Sequence, residues 1–140
     1  MKPGRTFDLD ERLINFASAI LELSDLLPQT LAGRHIAGQL VRSGTAPALH
    51  YGEAQGAESR KDFVHKMKVA LKELRETFNG LKIVKTVKWL STDKLNPILN
   101  ENNRLISIFV SSIGTASRNE ENKRKAVGKK RDNNEQESKP

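Results

Sequence analysis

Two of the three histidines in this 140-residue chain have a carboxylate three residues away, close to one helical turn. A carboxylate and a histidine at this spacing supply half of a di-iron site in a helical bundle, which also needs carboxylates from the remaining helices. The first and fourth predicted helices supply no matching inward pair, because Glu22 and Glu101 are isolated and neither has a histidine nearby. We therefore expect no metal site, and we expect the histidines to be buried hydrogen-bonding residues or surface residues. The two pairs are His50 with Glu53 and Asp62 with His65, and the third histidine is His35.

The candidate nucleophiles are hydroxyl groups near predicted helix ends and near a proline. Ser43, Thr45 and Ser59 occupy positions where a hydroxyl usually bonds a nearby carbonyl or caps a helix. The sequence has no predicted strand followed by a glycine-rich loop, so it lacks the phosphate-loop motifs. It has no cysteine, which excludes thiolate chemistry and disulfides. These observations predict a protein with no catalytic residues and no cofactor, not an enzyme.

Positive charge is the stronger functional signal, because five cations recur along one face of the third predicted helix and could follow a phosphate backbone. The alternative is a solvated face whose cations pair with Glu73 and Glu76. Two basic clusters in the C-terminal tail suit either a nucleic-acid arm or a solubilising tail. No aromatic residues punctuate the helical cations, so binding would rely on backbone contacts. The candidate nucleic-acid-binding residues are Lys61, Lys68, Lys72, Arg75 and Lys82 in the helix and Lys123, Arg124, Lys125, Lys129, Lys130 and Arg131 in the tail.

The segment from Gln39 to Ala54 is too polar for an ordinary core helix and too apolar for a solvent loop. Several of its polar residues lie near whole numbers of helical turns apart, so a carboxylate and a tyrosine hydroxyl could hold an arginine between them. We predict a structural polar network here, with a ligand pocket as the alternative. The network residues are Gln39, Arg42, Tyr51 and Glu53.

Apolar residues at three- and four-residue steps predict four amphipathic helices. The second helix is expected to kink at Pro47 and continue, although a stop at Gly44 is the alternative. The third predicted helix continues through Gly80 as a single helix. Short connections predict an all-α, antiparallel up-down-up-down bundle over residues 1–117. Residues 118–140 are charged and almost without apolar side chains, which predicts a disordered tail. The predicted helices cover about residues 9–27, 30–54, 59–90 and 91–114.

Basic residues exceed acidic ones in both the predicted bundle and the tail, and the chain has a net charge of +7. A basic balance permits a nucleic acid or another acidic partner, and it equally serves solubility. The amino terminus does not have the pattern of a signal peptide. No run approaches the ~18–20 apolar residues of a membrane span. We expect a cytoplasmic protein with no membrane partner.

Four runs of residues in the second and third helices carry a resemblance to a known family. They are Ala32–Thr45, Tyr51–Gln55, Glu58–Lys66 and Ala70–Thr77. Together they resemble the bacterial four-helix-bundle proteins associated with 23S rRNA intervening sequences, over roughly residues 8–117.

The resemblance implies a four-helix bundle that assembles as a homopentameric ring and has no catalytic activity. A relative of similar fold, the accessory variability determinant of diversity-generating retroelements, binds nucleic acid through a basic surface and associates with a reverse transcriptase. RNA or DNA is thus the implied partner, and a protein-interaction scaffold is the alternative. Apolar residues off the main helix faces, Ile83 and Ile108, also favour self-association. The chain departs from the family pattern at Ala46, where serine is usual, and at His50, where asparagine is usual, which affects the polar network but not the fold.

Overall fold

The computed structural model describes residues 8–137, and the side chains of residues 8–132. This part of the chain forms four helices: α1 (Leu9–Ser24), α2 (Leu31–Gln55), α3 (Arg60–Thr86) and α4 (Thr92–Glu137). Consecutive helices pack side by side and α1 also contacts α4. The short connections make neighbouring helices antiparallel, so the predicted all-α four-helix bundle is confirmed. Over the residues described, no helix is both long enough and apolar enough to cross a membrane.

All four helices begin at a side chain that caps the free amides of the first turn. The capping oxygen accepts a hydrogen bond, 3.1–3.3 Å long, from the amide three residues further along the chain. Such caps stabilise a helix by about 0.5–2 kcal/mol each. They also explain why the predicted starts of α2 and α3 agree with the structure to within a residue. The capping residues are Asp8, Thr30, Ser59 and Ser91.

Helix α2 continues without interruption through Pro47, as predicted. Proline lacks an amide hydrogen, so the bond to the carbonyl of Ser43 is lost. The nearby Gly44 is buried against α1, where an added Cβ would lie only 2.6–2.9 Å from three carbon atoms of Ile20. This glycine, expected to relieve crowding near the proline, therefore also allows α1 and α2 to approach closely.

The hydrophobic core lies between the four helices and is built mainly from leucine. The side chains come from one face of each helix, at the three- and four-residue spacing read from the sequence. The largest fully buried apolar side chains are Leu13 and Ile20 of α1, Leu40 of α2, Met67, Leu74, Leu81 and Val84 of α3, and Leu95, Leu105 and Phe109 of α4.

Four polar side chains are also buried, and each is hydrogen-bonded. The hydroxyl of Ser24 donates to the carbonyl of Ile20 at 2.7 Å. The hydroxyls of Ser43 and Thr77 are 2.9 Å apart and join α2 to α3. With its amide oriented to satisfy both groups, Asn102 donates to the carbonyl oxygen of Leu74 at 3.1 Å and accepts from the amide of Phe78 at 3.0 Å. No buried side-chain polar atom of the described residues lacks a partner. These contacts avoid the desolvation cost of an unpaired polar group.

Helix α3 ends earlier than predicted, because the backbone turns at Lys88. Lys88 has a φ of 60°, in the left-handed region that favours glycine. Its amide donates to the carbonyl of Lys85, and the amide of Trp89 donates to the carbonyl of Val84, both at 3.2 Å. These two bonds form a Schellman motif, which closes the helix. The apolar spacing that suggested a helix to Leu90 continues beyond this turn.

Helix α4 does not end near Gly114 but continues to Glu137, so residues 118–137, here called the α4 extension, are helical instead of disordered. The last buried residue is Ala116, and none from 117 to 132 is buried. Local interactions support the helix instead: many residues have good helix propensity. Ion pairs also join Glu120 to Arg124 and Glu121 to Lys125. The remainder of the predicted tail, residues 138–140, lies outside the described residues.

Candidate nucleic-acid interface

The five cations predicted on the third helix form one exposed row along α3, which we call the basic stripe. Its members are Lys61, Lys68, Lys72, Arg75 and Lys82, and all are exposed. The opposite face of α3 is buried, with Met67, Leu74 and Leu81 fully enclosed. Because the buried face anchors α3 in the bundle, the stripe is held in place along its whole length.

The glutamates beside the stripe are engaged by the neighbouring helix. Arg42 of α2 donates to Glu73 at 3.0 Å and to Glu76 at 2.7 Å. The Glu73 side chain is only 12% exposed. The hydrogen bond from Arg42 holds the pKa of Glu76 below its ordinary value. Both glutamates are therefore paired with Arg42, although the charge of Lys72 also contributes to the lowered pKa of Glu76.

None of the five stripe cations takes part in an ion pair among residues 8–132. Lys82 lies over the ring of Phe78, 5.0 Å from its centroid, which leaves the ammonium group charged and near the surface. A row of cations without carboxylate partners has the chemistry needed to bind phosphate groups.

Two shallow grooves run along the stripe and share Lys68. One, of about 390 Å³, is lined by Lys68, Lys72 and Arg75 together with Leu71, Glu76 and Asn79. The other, of about 520 Å³, lies between the start of α3 and the start of the α4 extension. Lys61, Lys68 and Arg124 contribute the positive charge of this second groove.

Arg124 is the one predicted tail cation that lines a groove with the stripe, among the grooves found in the described part of the chain. It also lies 3.8 Å from Glu120, which partly offsets its charge. The other five are exposed on the α4 extension, and Lys125 pairs with Glu121 at 3.3 Å. At 100° per residue these five are distributed around the helix and do not form a single face. They are Lys123, Lys125, Lys129, Lys130 and Arg131.

The predicted polar network is only partly formed, because its residues point to different neighbours. Gln39 does accept a hydrogen bond from Arg42, at 3.1 Å. Arg42 turns to α3, Glu53 accepts from Lys66 at 3.0 Å, and Tyr51 packs edge-on against Phe109 in the bundle. The expected Arg42–Tyr51–Glu53 cluster is therefore wrong. At 100° per residue Arg42 and Glu53 lie at similar angles on α2, but Tyr51 lies on the opposite side. Charged residues of α3 bind Arg42 and Glu53 instead.

The candidate nucleophiles all have structural partners. Thr45 donates to the carbonyl of Val41 at 2.7 Å and Ser59 caps α3, as expected of hydroxyls near helix ends. Ser43 instead bonds Thr77 of another helix, in the core.

Two of the four carboxylates considered for a metal site, Glu53 and Glu101, form ion pairs with cations. Glu53 pairs with Lys66, and His50 lies 4.0 Å from the same carboxylate. Glu101 accepts two hydrogen bonds from Arg12, at 2.6 and 3.2 Å, which join α1 to α4. Over the described residues, no group of three or more potential ligands is arranged to hold a metal ion.

Sequence reasoning missed three ion-pair contacts between helices. They join Arg12 to Glu101, Arg42 to the two glutamates of α3, and Lys66 to Glu53. A single sequence reports which residues are neighbours on one helix but not which faces of two helices meet. The many charged residues on the sides of the helices indicated that such ion pairs could form, but they did not identify the partners.

The fold and this surface define a helical-bundle protein with a continuous basic face. Residues 6–111 match the family of 23S rRNA-intervening sequence proteins, and this chain therefore belongs to that family. No curated protein matches it. A crystal structure of a protein with unknown function from the S23 ribosomal protein family of Bacteroides thetaiotaomicron VPI-5482 is similar, with a TM-score of 0.71 and 27% sequence identity. The similarity covers 76% of this chain and 98% of that one.

Proposed function

We propose that this protein is a non-enzymatic, self-associating bundle that binds RNA or DNA through backbone phosphates. The observation that carries the proposal is the engagement of Glu73 and Glu76 by Arg42. This contact leaves the stripe as a row of unpaired cations. The family name refers to intervening sequences of 23S rRNA, which makes RNA the first probe to use.

Binding of this kind is weak, tolerant of sequence and sensitive to salt. Non-specific dissociation constants are typically 10⁻⁴–10⁻⁶ M at physiological salt, and each neutralised phosphate adds about 0.7–0.9 to the slope of log affinity against log salt. Fluorescence anisotropy with a labelled RNA across a salt series measures both quantities. No binding near ~50 mM salt, or an affinity that does not change with salt, refutes the proposal.

Charge-neutralising variants connect the binding to the stripe. The double variant Lys72→Gln with Arg75→Gln should lower the salt slope by about 2 and weaken binding uniformly across sequences. Lys94→Gln is the matched control, because Lys94 is an exposed cation that lines a different groove, between α1 and α4. If the double variant and Lys94→Gln lose the same amount of affinity, the stripe is not the binding surface.

Self-association, as a homopentameric ring, is the second part of the proposal. Ile14 and Leu21 lie seven residues apart on one face of α1 and are 49% and 44% exposed. Leu31 and Leu49 share one face of α2 and are 81% and 67% exposed. Acidic residues flank the α1 face, while Arg34 lies near the α2 pair. Two different complementary faces on one chain suit a head-to-tail contact, which closes into a ring when the rotation allows.

Light scattering tests the assembly directly. The wild-type protein should have the mass of five chains, and Leu49→Glu should dissociate it while leaving the helix content unchanged. A monomeric wild-type protein refutes the ring. Of the two apolar residues noted in the sequence, Ile83 is 46% exposed and remains available for such contacts, whereas Ile108 packs against the core.

A protein-interaction scaffold is the competing function, and the same exposed leucines favour it. A reverse transcriptase or another nucleic-acid-processing enzyme is the kind of partner that would reconcile the two functions. Co-purification of a protein that survives nuclease treatment, together with no RNA binding by the purified chain, supports the scaffold.

A further inference from the structure

No aromatic side chain of the described residues is fully exposed, so unpaired bases would find little aromatic surface on which to stack. Phe16 and Phe109 are buried, and the remaining aromatic side chains between residues 8 and 132 are half-buried. Lys82 additionally covers the ring of Phe78. Proteins that bind single strands usually combine a basic groove with aromatic stacking, which contributes about 1–3 kcal/mol per base. The basic stripe can therefore contact the phosphates of a single strand, but it offers little surface on which the bases can stack.

The stripe lies on a single helix, and its length suits a rigid ligand. Lys61 and Lys82 are separated by about 31 Å at 1.5 Å per residue along α3. One turn of a B-form duplex measures about 34–36 Å. A row of this length on a fixed helix can reach phosphates on both sides of a groove of a duplex.

The α4 extension continues this line beyond the start of α3, near Lys61. Lys61 and Arg124 line the same groove. Arg131 lies seven residues further on the same face of α4 as Arg124, which adds about 10 Å to the row. A duplex, with a persistence length of about 150 base pairs, already has its phosphates in order. A flexible single strand would lose conformational entropy to follow the same line.

We infer that the stripe and the α4 extension bind duplex nucleic acid in preference to single strands, through both phosphate backbones and without reading the bases. This inference rests on the proposed function, and it specifies the ligand of that surface. Helix α3 exposes only one face, because α2, α4 and its own buried side chains hold it in the bundle. Four of the five stripe cations on that face are lysines, which bind phosphates as point charges, so we expect contacts to the backbone and not to base edges.

The test compares a labelled duplex of about 20 base pairs, the length of roughly two helical turns, with each of its unpaired strands at ~100 mM salt. RNA and DNA duplexes are tested separately, because both have the paired backbones that the stripe is expected to bind. We expect each duplex to bind at least fivefold more tightly than its own strands. With five cations engaged, the salt slope should be about −4.5 for a duplex and about −3.5 for a single strand.

The controls separate failure of this inference from failure of the proposed function. The double variant Lys72→Gln with Arg75→Gln should reduce the fivefold preference for duplex, and Lys94→Gln should keep it. Single strands that bind as tightly as the duplex refute the preference, while the nucleic-acid-binding function stands. If the wild-type protein binds neither form, both the function and the inference are wrong. A preference for one duplex type that depends on base sequence also refutes the inference, because it requires base contacts.

Discussion

Replacing Gly44 by alanine should destabilise the bundle, although alanine is the better helix former. In an open helical position, alanine is favoured over glycine by about 0.8–1 kcal/mol. At Gly44 the new Cβ would lie 2.6 Å from the Cγ2 atom of Ile20 and 2.9 Å from its Cβ and Cγ1 atoms. Carbon atoms in contact are normally 3.5–4.0 Å apart, so α1 and α2 would have to separate by close to 1 Å.

The expected loss of stability follows from the rigidity of Ile20. Ile20 is fully buried, and a β-branched side chain in a helix has one strongly preferred rotamer, so it cannot rotate away. Overpacking of this kind costs about 1–3 kcal/mol. After the gain in helix propensity, we expect a net loss of up to about 2 kcal/mol. For a chain of this length the melting temperature should fall by up to roughly 8 °C.

Gly38→Ala is the matched control, because an added Cβ there meets nothing within 4 Å and the residue lies in the same helix. This variant should be more stable than the wild type by about 0.8–1 kcal/mol. Thermal and urea unfolding followed by circular dichroism measure both variants, at several protein concentrations so that self-association is separated from folding. A Gly44→Ala protein as stable as Gly38→Ala would show that the close contact between α1 and α2 does not exist.

Three further predictions concern the end of α3 and the Arg42 contacts. Lys88→Gly should raise the stability by about 0.5–1 kcal/mol in urea unfolding, because the residue has a positive φ; a loss would contradict the Schellman turn. Arg42→Gln should weaken RNA binding in anisotropy although Arg42 lies outside the stripe, since it releases Glu73 and Glu76 to pair with the cations; unchanged binding would contradict this. The lowered pKa of Glu76 stabilises the fold above the ordinary value of 4.5, and this contribution is lost as the pH falls through the folded-state pKa. Acid unfolding should therefore be less steep in Arg42→Gln than in the wild type, and equal steepness would contradict the pairing.

The helices were predictable because their signals are local. The caps at Thr30 and Ser59 and the apolar spacing of α3 depend on residues within one or two turns of each other. The passage of α2 through Pro47 could also be anticipated, because the apolar pattern continues on both sides of it.

The features that were not predicted depend on contacts between helices or on weak local interactions. Lys88 adopts a left-handed conformation that is usual for glycine, so no residue type at this position indicated that α3 would end there. The α4 extension lacks buried apolar residues, and the expectation of disorder considered burial but not helix propensity and ion pairs. The stripe was found from its spacing, whereas the role of Arg42 needed the position of α2 against α3.

In the α4 extension, the charge of the protein can change with little loss of stability. From residue 117 to residue 132 no side chain is buried, so substitutions there should change the stability by no more than about 0.5 kcal/mol. The number of cations in this segment can then vary among descendants of the chain while the bundle stays folded. The affinity for a polyanion thus becomes a property that mutation can adjust in small steps, with the core left intact.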